Sequence, residues 1–237
     1  MAKPSTKIAH YRATAPRRIM SAARHIWGTV VNPGDTMIRT LAAALLASFS
    51  ALVLAQAPAN PRVRIRGTVE KIDGQMLTVK ANSGQSMIVK LADNYAVMGI
   101  AKASVADVAA GKFIGTTTVG ERNGGLVAIE IHIFPENMRG TGEGHRDWDL
   151  RPDSKMTNAN VANVVAMGKE RLLTVQYKGG EQKILVPEDV VVVSYAPAER
   201  SELKPGAPIF VIALRQADGS LLSPRVNVGL HGQVPPM

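Results

Sequence analysis

The segment around Trp148 gathers side chains that could bind a metal ion. Imidazole and carboxylate groups are credible ligands of zinc, manganese or copper. Glu130 and His132 lie two residues apart upstream, and the period of a strand places both on one face. If the segment folds back, His132 would join the candidate metal ligands. The other candidate ligands are Glu143, His145, Asp147 and Asp149.

A structural linker is the alternative interpretation, because the spacing of these residues matches no established metal template. In this interpretation Trp148 is an apolar plug and nearby arginines pair with the acids. We favour the structural linker and therefore expect no cofactor. The alternative is a bound divalent transition metal. In both cases we expect Trp148 to dock onto folded structure, because burial of a large aromatic side chain is favourable. The arginines are Arg139, Arg146 and Arg151.

A row of basic side chains is predicted on one face of a strand. Arg62, Arg64 and Arg66 alternate with Val63 and Ile65, which is the period of two that a half-buried strand shows. Such a row could meet an anionic cell-envelope polymer or an acidic protein. The alternative is a solvated face whose charges deter edge-to-edge pairing. The three arginines and Trp148 are the candidate interface residues.

The composition excludes several kinds of chemistry. The chain has 237 residues and no cysteine, so thiol catalysis, disulfides and cysteine-ligated metals are absent. It contains no Gly-x-Ser-x-Gly, P-loop, His-Glu-x-x-His or EF-hand motif. The formal net charge is +9, but residues 1–57 hold seven of the 28 bases and only one of the 19 acids. We therefore expect no enzymatic activity, and nucleic acid is not an expected partner.

The N-terminal region resembles an export signal. Residues 41–54 form an apolar run of 14 residues that Arg39 precedes and small residues follow. We interpret 1–36 as an upstream extension and 37–57 as the signal peptide, cleaved after Ala55 or after Ala59. The run is shorter than the ~20 residues of a membrane span. The predicted location is periplasmic or secreted; the alternative is an uncleaved anchor in the inner membrane, facing the periplasm.

Two parts of the remaining sequence match each other at an offset of 95 to 97 residues. The matches keep the same order and predict two units, 62–134 and 157–229, with a linker at 135–156 and a tail at 230–237. The matching residues are Leu77-Thr78-Val79 with Leu173-Thr174-Val175, Ile88-Val89 with Ile184-Leu185, Val108 and Gly111 with Leu203 and Gly206, Leu126 with Leu222, and Ile129 and Ile131 with Val226 and Val228.

Each unit has the pattern of short strands. Alternating residues are separated by turn signals, and one helical turn capped by Ser104 interrupts the first unit. Such short strands hide their edges best by closing into a small barrel. The predicted fold is all-β, with two tandem OB-like barrels of five to six strands. The run 190–193 consists of four valines, which favours a strand buried between the barrels over an exposed dimer edge.

Three motifs resemble a family of exported bacterial proteins. They are Gly-Thr-Val-x-x-Ile-Asp-Gly-x-x-Leu-Thr-Val at 67–79, Leu-Lys-Pro-Gly at 203–206 and Gln-Ala-Asp-Gly-Ser-Leu at 216–221. Members of this family carry one or more small OB-like barrel repeats, a domain of unknown function, behind a signal peptide. The resemblance covers 62–229 and implies the two-repeat form.

The leading functional hypothesis is an exported, non-enzymatic β-repeat protein that binds or scaffolds in the cell envelope. Its expected partner is an envelope protein or an anionic envelope polymer, with a membrane contact only through an uncleaved signal segment. The alternative is a periplasmic metal-binding accessory protein that uses the linker cluster.

Overall fold

The computed structural model describes residues 61–237, which belong to one compact unit. The described chain is all-β, with three short 3-10 turns and no α-helix. The predicted extension and signal peptide, 1–36 and 37–57, lie outside the described residues. The strands are β1 (Arg62–Asp73), β2 (Met76–Ala81), β3 (Ser86–Lys102), β4 (Phe113–Arg122), β5 (Gly125–Ile133), β6 (Gly144–Asp147), β7 (Lys155–Met167), β8 (Glu170–Tyr177), β9 (Gly180–Val186), β10 (Val191–Pro197), β11 (Pro208–Arg215) and β12 (Leu221–Gly229).

Local sequence accounts for most of these elements. In β1, Ile65 and Val69 are buried while the arginines between and before them face outward. The loop between β4 and β5 has positive φ at Asn123 and Gly124, as a tight hairpin turn requires. Ser104 caps the 3-10 turn Val105–Asp107 with both hydrogen bonds of a capping box, as predicted.

Strands β3 and β6 depart from the predicted pattern. Strand β3 runs from Ser86 to Lys102 without a break, and β12 pairs with it on both sides of residues 92–95, where the register shifts. The predicted linker, 135–156, is ordered. It contains β6, which pairs antiparallel with the start of β7 and forms a hairpin.

A closed five-stranded barrel forms from the two ends of the described chain. Strand β1 pairs with β2 and with β11, β2 pairs with β3, and β12 pairs with both β11 and β3. This ring therefore combines three strands from the first predicted unit with two from the second. Its interior is an aliphatic core to which all five strands contribute.

The remaining strands complete a second circuit. Strand β4 pairs with β5 and β7, β8 lies between β7 and β9, and a short parallel pairing of β9 with β5 closes the ring. Its core includes Ile114, Ile131, Leu173 and Ile184, all fully buried. Strand β10 pairs with β3 on one side and β5 on the other, so it joins the two circuits.

The structure does not show two sequential barrels at 62–134 and 157–229. Strands β4 and β5 leave the first segment to pair with β7 and β9, while β11 and β12 return to β1 and β3. Because the two segments have similar strands, a strand from either segment can pair with the same sheet edge. The closing hairpins are therefore exchanged between the two predicted units.

The exchange is nearly symmetric. The pairing of β1 with β11 corresponds to that of β7 with β4, and Phe210 and Phe113 hold equivalent places opposite Arg66 and Asn160. At the centre, β3 pairs antiparallel with β10, and Ile100 lies opposite Tyr195. These two residues are 95 positions apart, the spacing of the sequence matches. The central ladder therefore lies on a pseudo-twofold axis.

An engineered disulfide tests the exchange. Arg62→Cys combined with Leu214→Cys is expected to form an intramolecular disulfide, because the two positions pair directly and the chain has no other cysteine. Non-reducing mass spectrometry of a peptide digest measures the cross-link. The control combines Arg62→Cys with Thr117→Cys, the position equivalent to Leu214 in a sequential barrel. A cross-link in the control and none in the first variant would contradict the exchange.

Candidate functional site

An arginine–tryptophan cluster covers the outer face of the first barrel. We use this name for Arg62, Arg64, Arg66, Arg146 and Trp148. The guanidinium of Arg64 lies 4.1 Å from the centre of the Trp148 ring, and those of Arg146 and Arg66 lie 5.7 and 6.0 Å away. These are cation–π distances, so the half-buried indole holds three cations together.

The hairpin between β6 and β7 places Trp148. The Trp148 amide donates to the Ser154 carbonyl at 2.9 Å, and the Ser154 hydroxyl lies 2.9 Å from the Trp148 carbonyl oxygen. Ser154 is buried, and Asp153 supplies a positive φ that closes the loop. The loop is thereby fixed by backbone bonds, and the indole reaches across to β1 and β11.

The indole rests on the junction of the two circuits. It packs against a buried cluster that includes Ile100, Met156 and Phe210, and its ring centre lies 6.5 Å from that of Phe210. Met237, which is 1% exposed, belongs to the same cluster, and its carbonyl oxygen accepts from Arg66 Nε at 2.8 Å. The described end of the tail is thus part of the support for this surface.

Asp149 is the only aspartate or glutamate side chain within salt-bridge distance of these arginines in the described chain. Its oxygens lie 2.8 Å from Arg66 and 3.6 Å from Arg64. Partial burial alone would raise the pKa of Asp149, but the hydrogen bond from Arg66 and the charges of both arginines hold that pKa below its usual value. Asp149 is therefore ionised at neutral pH.

The cluster keeps an excess of positive charge. Within residues 61–237, neither Arg62 nor Arg146 forms a salt bridge, and Arg146 donates instead to the Gly142 carbonyl at 2.7 Å. Burial, followed by the like charges of Arg64 and Arg62, lowers the pKa of Arg146. Arg146 stays protonated, because an arginine retains its charge in proteins. Within the described chain, these four arginines thus have one acidic side chain among them.

The candidate metal ligands do not converge. Among residues 61–237, no group of three or more histidine, cysteine or acidic side chains is arranged to hold a metal ion. The physical reason is that each of these side chains has its own hydrogen-bond partner. Those partners are the Lys178 backbone amide for Glu143, Thr157 for His145, Lys155 for Asp147, Arg66 for Asp149 and Glu130 for His132.

His145 is held as a neutral side chain. Its Nδ1 lies 2.8 Å from the Thr157 hydroxyl, and its ring stacks on Tyr177 with a centroid distance of 6.5 Å. Burial and then the charge of Lys155 lower the pKa of His145, despite the opposing effect of Asp147. This environment favours a packing role in the second circuit.

The Glu130–His132 pair is the deepest polar feature of the second circuit. The two side chains are 1% and 3% exposed, and His132 Nδ1 lies 3.0 Å from Glu130 Oε2. The Thr117 hydroxyl donates to the other carboxylate oxygen at 2.5 Å. The ring of His132 packs edge-on against Phe134 and Tyr195. Partial burial and the nearby Glu130 charge raise the pKa of Tyr195.

Gly115 makes room for this pair. A Cβ at this position would overlap His132 Nε2 and lie 2.7 Å from Asn158 Oδ1. Asn158 is itself held by a 2.9 Å bond from its amide to the Thr141 carbonyl. Glycine is therefore required here for close approach, because the imidazole and the amide occupy the volume of a side chain.

Sequence reasoning singled out Trp148 and the β1 arginines but missed their neighbours. Arg146 was expected to pair with nearby acids, and Phe210 was not singled out. The pairing of β1 with β11 is what brings Phe210 under the cluster, and no local pattern reports it. For Arg146, the signal was its position two residues before Trp148 on a strand, which places both on one face.

Comparisons with protein-family models, with curated proteins and with solved structures gave no match. Within residues 61–237, no helix is long and apolar enough to cross a membrane.

Removal of the indole is expected to destabilise the fold. Trp148→Ala should lower the free energy of unfolding by about 2 kcal/mol, because the ring is half-buried and supports three guanidinium groups. Urea denaturation followed by circular dichroism measures the change. The control is Arg151→Ala, an exposed neighbour on the same loop, which should change stability by less than ~0.5 kcal/mol. Equal effects of the two variants would contradict the docking role.

Substitution of Gly115 tests the close approach. Gly115→Ala should cost about 3 kcal/mol of unfolding free energy, because the new methyl group overlaps the His132 ring. In a His132→Ala background the same substitution should cost less, since the ring is gone. A double-mutant cycle from denaturation curves measures the coupling. Additive effects would show that the two residues do not compete for space.

Proposed function

We propose that this protein is an exported, non-enzymatic binding or scaffolding module of the bacterial cell envelope. In this proposal the arginine–tryptophan cluster binds an anionic partner. The observation that carries the proposal is the imbalance of charge on this surface. Three arginines surround one indole, Arg62 lies near enough to act on Arg146, and Asp149 is their one acidic side-chain neighbour in the described chain.

The charge imbalance favours anion binding for an electrostatic reason. Like charges that are held close together repel one another, and an arriving anion relieves that repulsion. Arg62 and Arg146 have no acidic partner among the described residues, so their donors are available without breaking a salt bridge. Arginine also presents a planar fork of donors that matches a carboxylate or phosphate.

The surface needs no large rearrangement to bind. Three of the arginines lie on β1, which pairs with β11 from Arg62 to Thr68, and Arg146 lies on the β6 hairpin. Side chains on rigid elements lose less conformational entropy on binding than side chains on free loops. The cluster therefore resembles a preformed binding surface more than an accidental group of charges.

Export is supported by the leader sequence. The apolar run at 41–54, the preceding Arg39 and the small residues after it have the pattern of a secretory signal. In our proposal translation begins at Met37, and the folded part is released into the periplasm or beyond. The uncleaved form would present the same surface to the periplasm from an anchor in the inner membrane.

A non-enzymatic role is consistent with the inaccessible histidine pair. Glu130 and His132 have the residue types of an acid–base pair, but a substrate could not reach them at 1% and 3% exposure. Their contacts with Thr117 and the surrounding rings are those of a buried polar network.

We also propose that the two circuits are copies of one OB-like repeat. The offset of about 96 residues in the sequence and the matching strand pairings both support it. In this view each barrel takes its closing hairpin from the other copy. The motifs at 67–79, 203–206 and 216–221, which resemble a family of exported repeat proteins, are consistent with this origin.

Binding of a polyanion tests the proposed function. Fluorescently labelled poly-L-glutamate should bind the full chain with an affinity that falls as salt rises. Arg62→Glu with Arg146→Glu should weaken binding at least about tenfold, because two unneutralised cations become anions. Fluorescence anisotropy at several salt concentrations measures the effect.

The matched control is Lys80→Glu with Lys183→Glu, two exposed lysines on β2 and β9 that carry the same total change of charge. Binding should be much less affected in this variant. Equal loss in both variants would mean that net charge alone attracts the polymer, and it would refute a specific surface.

A further inference from the structure

The first part of β1 has a backbone edge without a partner strand in the described chain. Strand β1 pairs with β11 from Arg62 to Thr68, but its pairing with β2 begins only at Gly67. Among the described strands, the residues of β1 before Gly67 therefore have a partner on one edge alone. An unpaired edge presents N–H and C=O groups that can accept another strand.

The hydrogen-bond pattern identifies the groups that face this edge. The amide of Arg215 donates to the carbonyl of Pro61, so the odd-numbered residues of β1 face β11. The amide of Asn82 donates to the carbonyl of Arg66, so the even-numbered residues face the opposite edge. The backbone N–H and C=O of Arg62 and Arg64 consequently point toward the unpaired edge.

The pseudo-twofold axis shows what such an edge can accept. In the second circuit β7 takes the place of β1, and Met156 and Asn158 correspond to Arg62 and Arg64. That edge of β7 is occupied, because Arg146 pairs with Met156 and Gly144 pairs with Asn158. Strand β6 is thus an added antiparallel strand at the position that remains open on β1.

The side chains beside the open edge select the kind of strand. Arg62 and Arg64 face outward on the barrel, next to Arg146 and Trp148. In an added strand, the residues opposite these arginines would direct their side chains to the same outer face. Acidic residues at alternate positions would neutralise the excess charge, whereas basic residues there would be repelled.

We propose that the edge of β1 at Arg62–Arg64 binds an extended acidic segment of another protein by antiparallel strand addition. The inference rests on the proposed function, because it names the partner class of the same anion-binding surface. Main-chain hydrogen bonds to Arg62 and Arg64 supply the docking, and carboxylates at every second residue of the partner supply the selectivity.

The experiment uses a peptide, Ac-Glu-Val-Glu-Val-Glu-NH2, and amide hydrogen exchange of the full chain measured by NMR. On binding, the amides of Arg62 and Arg64 should become protected at least tenfold. The amides of Val63 and Ile65 should change little, because they already face β11. Alternating protection along one strand is specific to strand addition.

Two methylated peptides of equal charge provide the matched control. Methylation of the glutamate nitrogens removes the donors that face β1 and should abolish binding. Methylation of the valine nitrogens alters groups that face away and should leave binding within about threefold of the parent, since no inter-strand bond is lost. A lysine-for-glutamate peptide should not bind.

The outcomes separate the inference from the proposed function. Equal binding of the two methylated peptides, without alternating protection, would overturn strand addition but leave the anion-binding surface intact. Tighter binding of an anionic polysaccharide such as alginate than of the peptide would overturn the acidic peptide as partner class. Failure of poly-L-glutamate, alginate and the peptide to bind at all would overturn the proposed function as well.

Discussion

The pairing of β1 with β11 is the interaction on which the rest of the structure depends. It closes the first barrel, and it also brings Phe210 beneath Trp148 and lines up the arginines of β1 on the outer face. The equivalent pairing of β4 with β7 closes the second circuit. Each circuit therefore needs strands from both halves of the described chain, so neither half can keep its own core without the other.

The central ladder of β3 and β10 joins the two circuits in one continuous sheet. It pairs two strands from different circuits edge to edge, and its neighbours on either side are the closing strands β12 and β5. Backbone pairing runs without interruption from one circuit into the other. Trp148 lies over this junction, where Ile100 and Phe210 support it. A substitution at the junction would therefore affect side-chain packing in both cores.

Two different interactions stabilise the positive charges on the outer face. The indole attracts three guanidinium groups by its π-electrons, while Asp149 neutralises part of the charge of Arg64 and Arg66. Each contribution is modest, because the groups are partly solvated. Together they allow a concentration of positive charge that a free loop could not hold in place, which is what the proposed anion-binding surface requires.

Local chemistry made the strands and turns predictable from the sequence, but not their partners. The alternation in β1 and the turn at Asn123-Gly124 depend on neighbouring residues only. The choice of β11 over β4 as the partner of β1 depends on contacts far along the chain, and both candidates have the same pattern. The prediction of tandem barrels followed from the assumption that near neighbours pair.

The candidate site was predictable to a similar extent. The β1 arginines and Trp148 could be recognised because their residue types and spacing are unusual in themselves. The proposed metal ligands failed to converge because each has a separate partner, such as Lys155 for Asp147 and the Lys178 backbone amide for Glu143. Charged residues that are close in sequence need not have side chains in contact, because the course of the backbone determines where each side chain points.

The exchanged hairpins also set the order in which the chain can fold. Arg62 meets Leu214 only after nearly the whole described chain has been made, and contacts of such high sequence separation slow folding. A nascent chain that lacks β11 and β12 has an open first barrel with an exposed aliphatic interior. In a protein with this topology the first barrel cannot close until the C-terminal strands emerge, whereas all strands of the second circuit precede them. A chain threaded through a membrane before it folds would keep its first barrel open until that last stage.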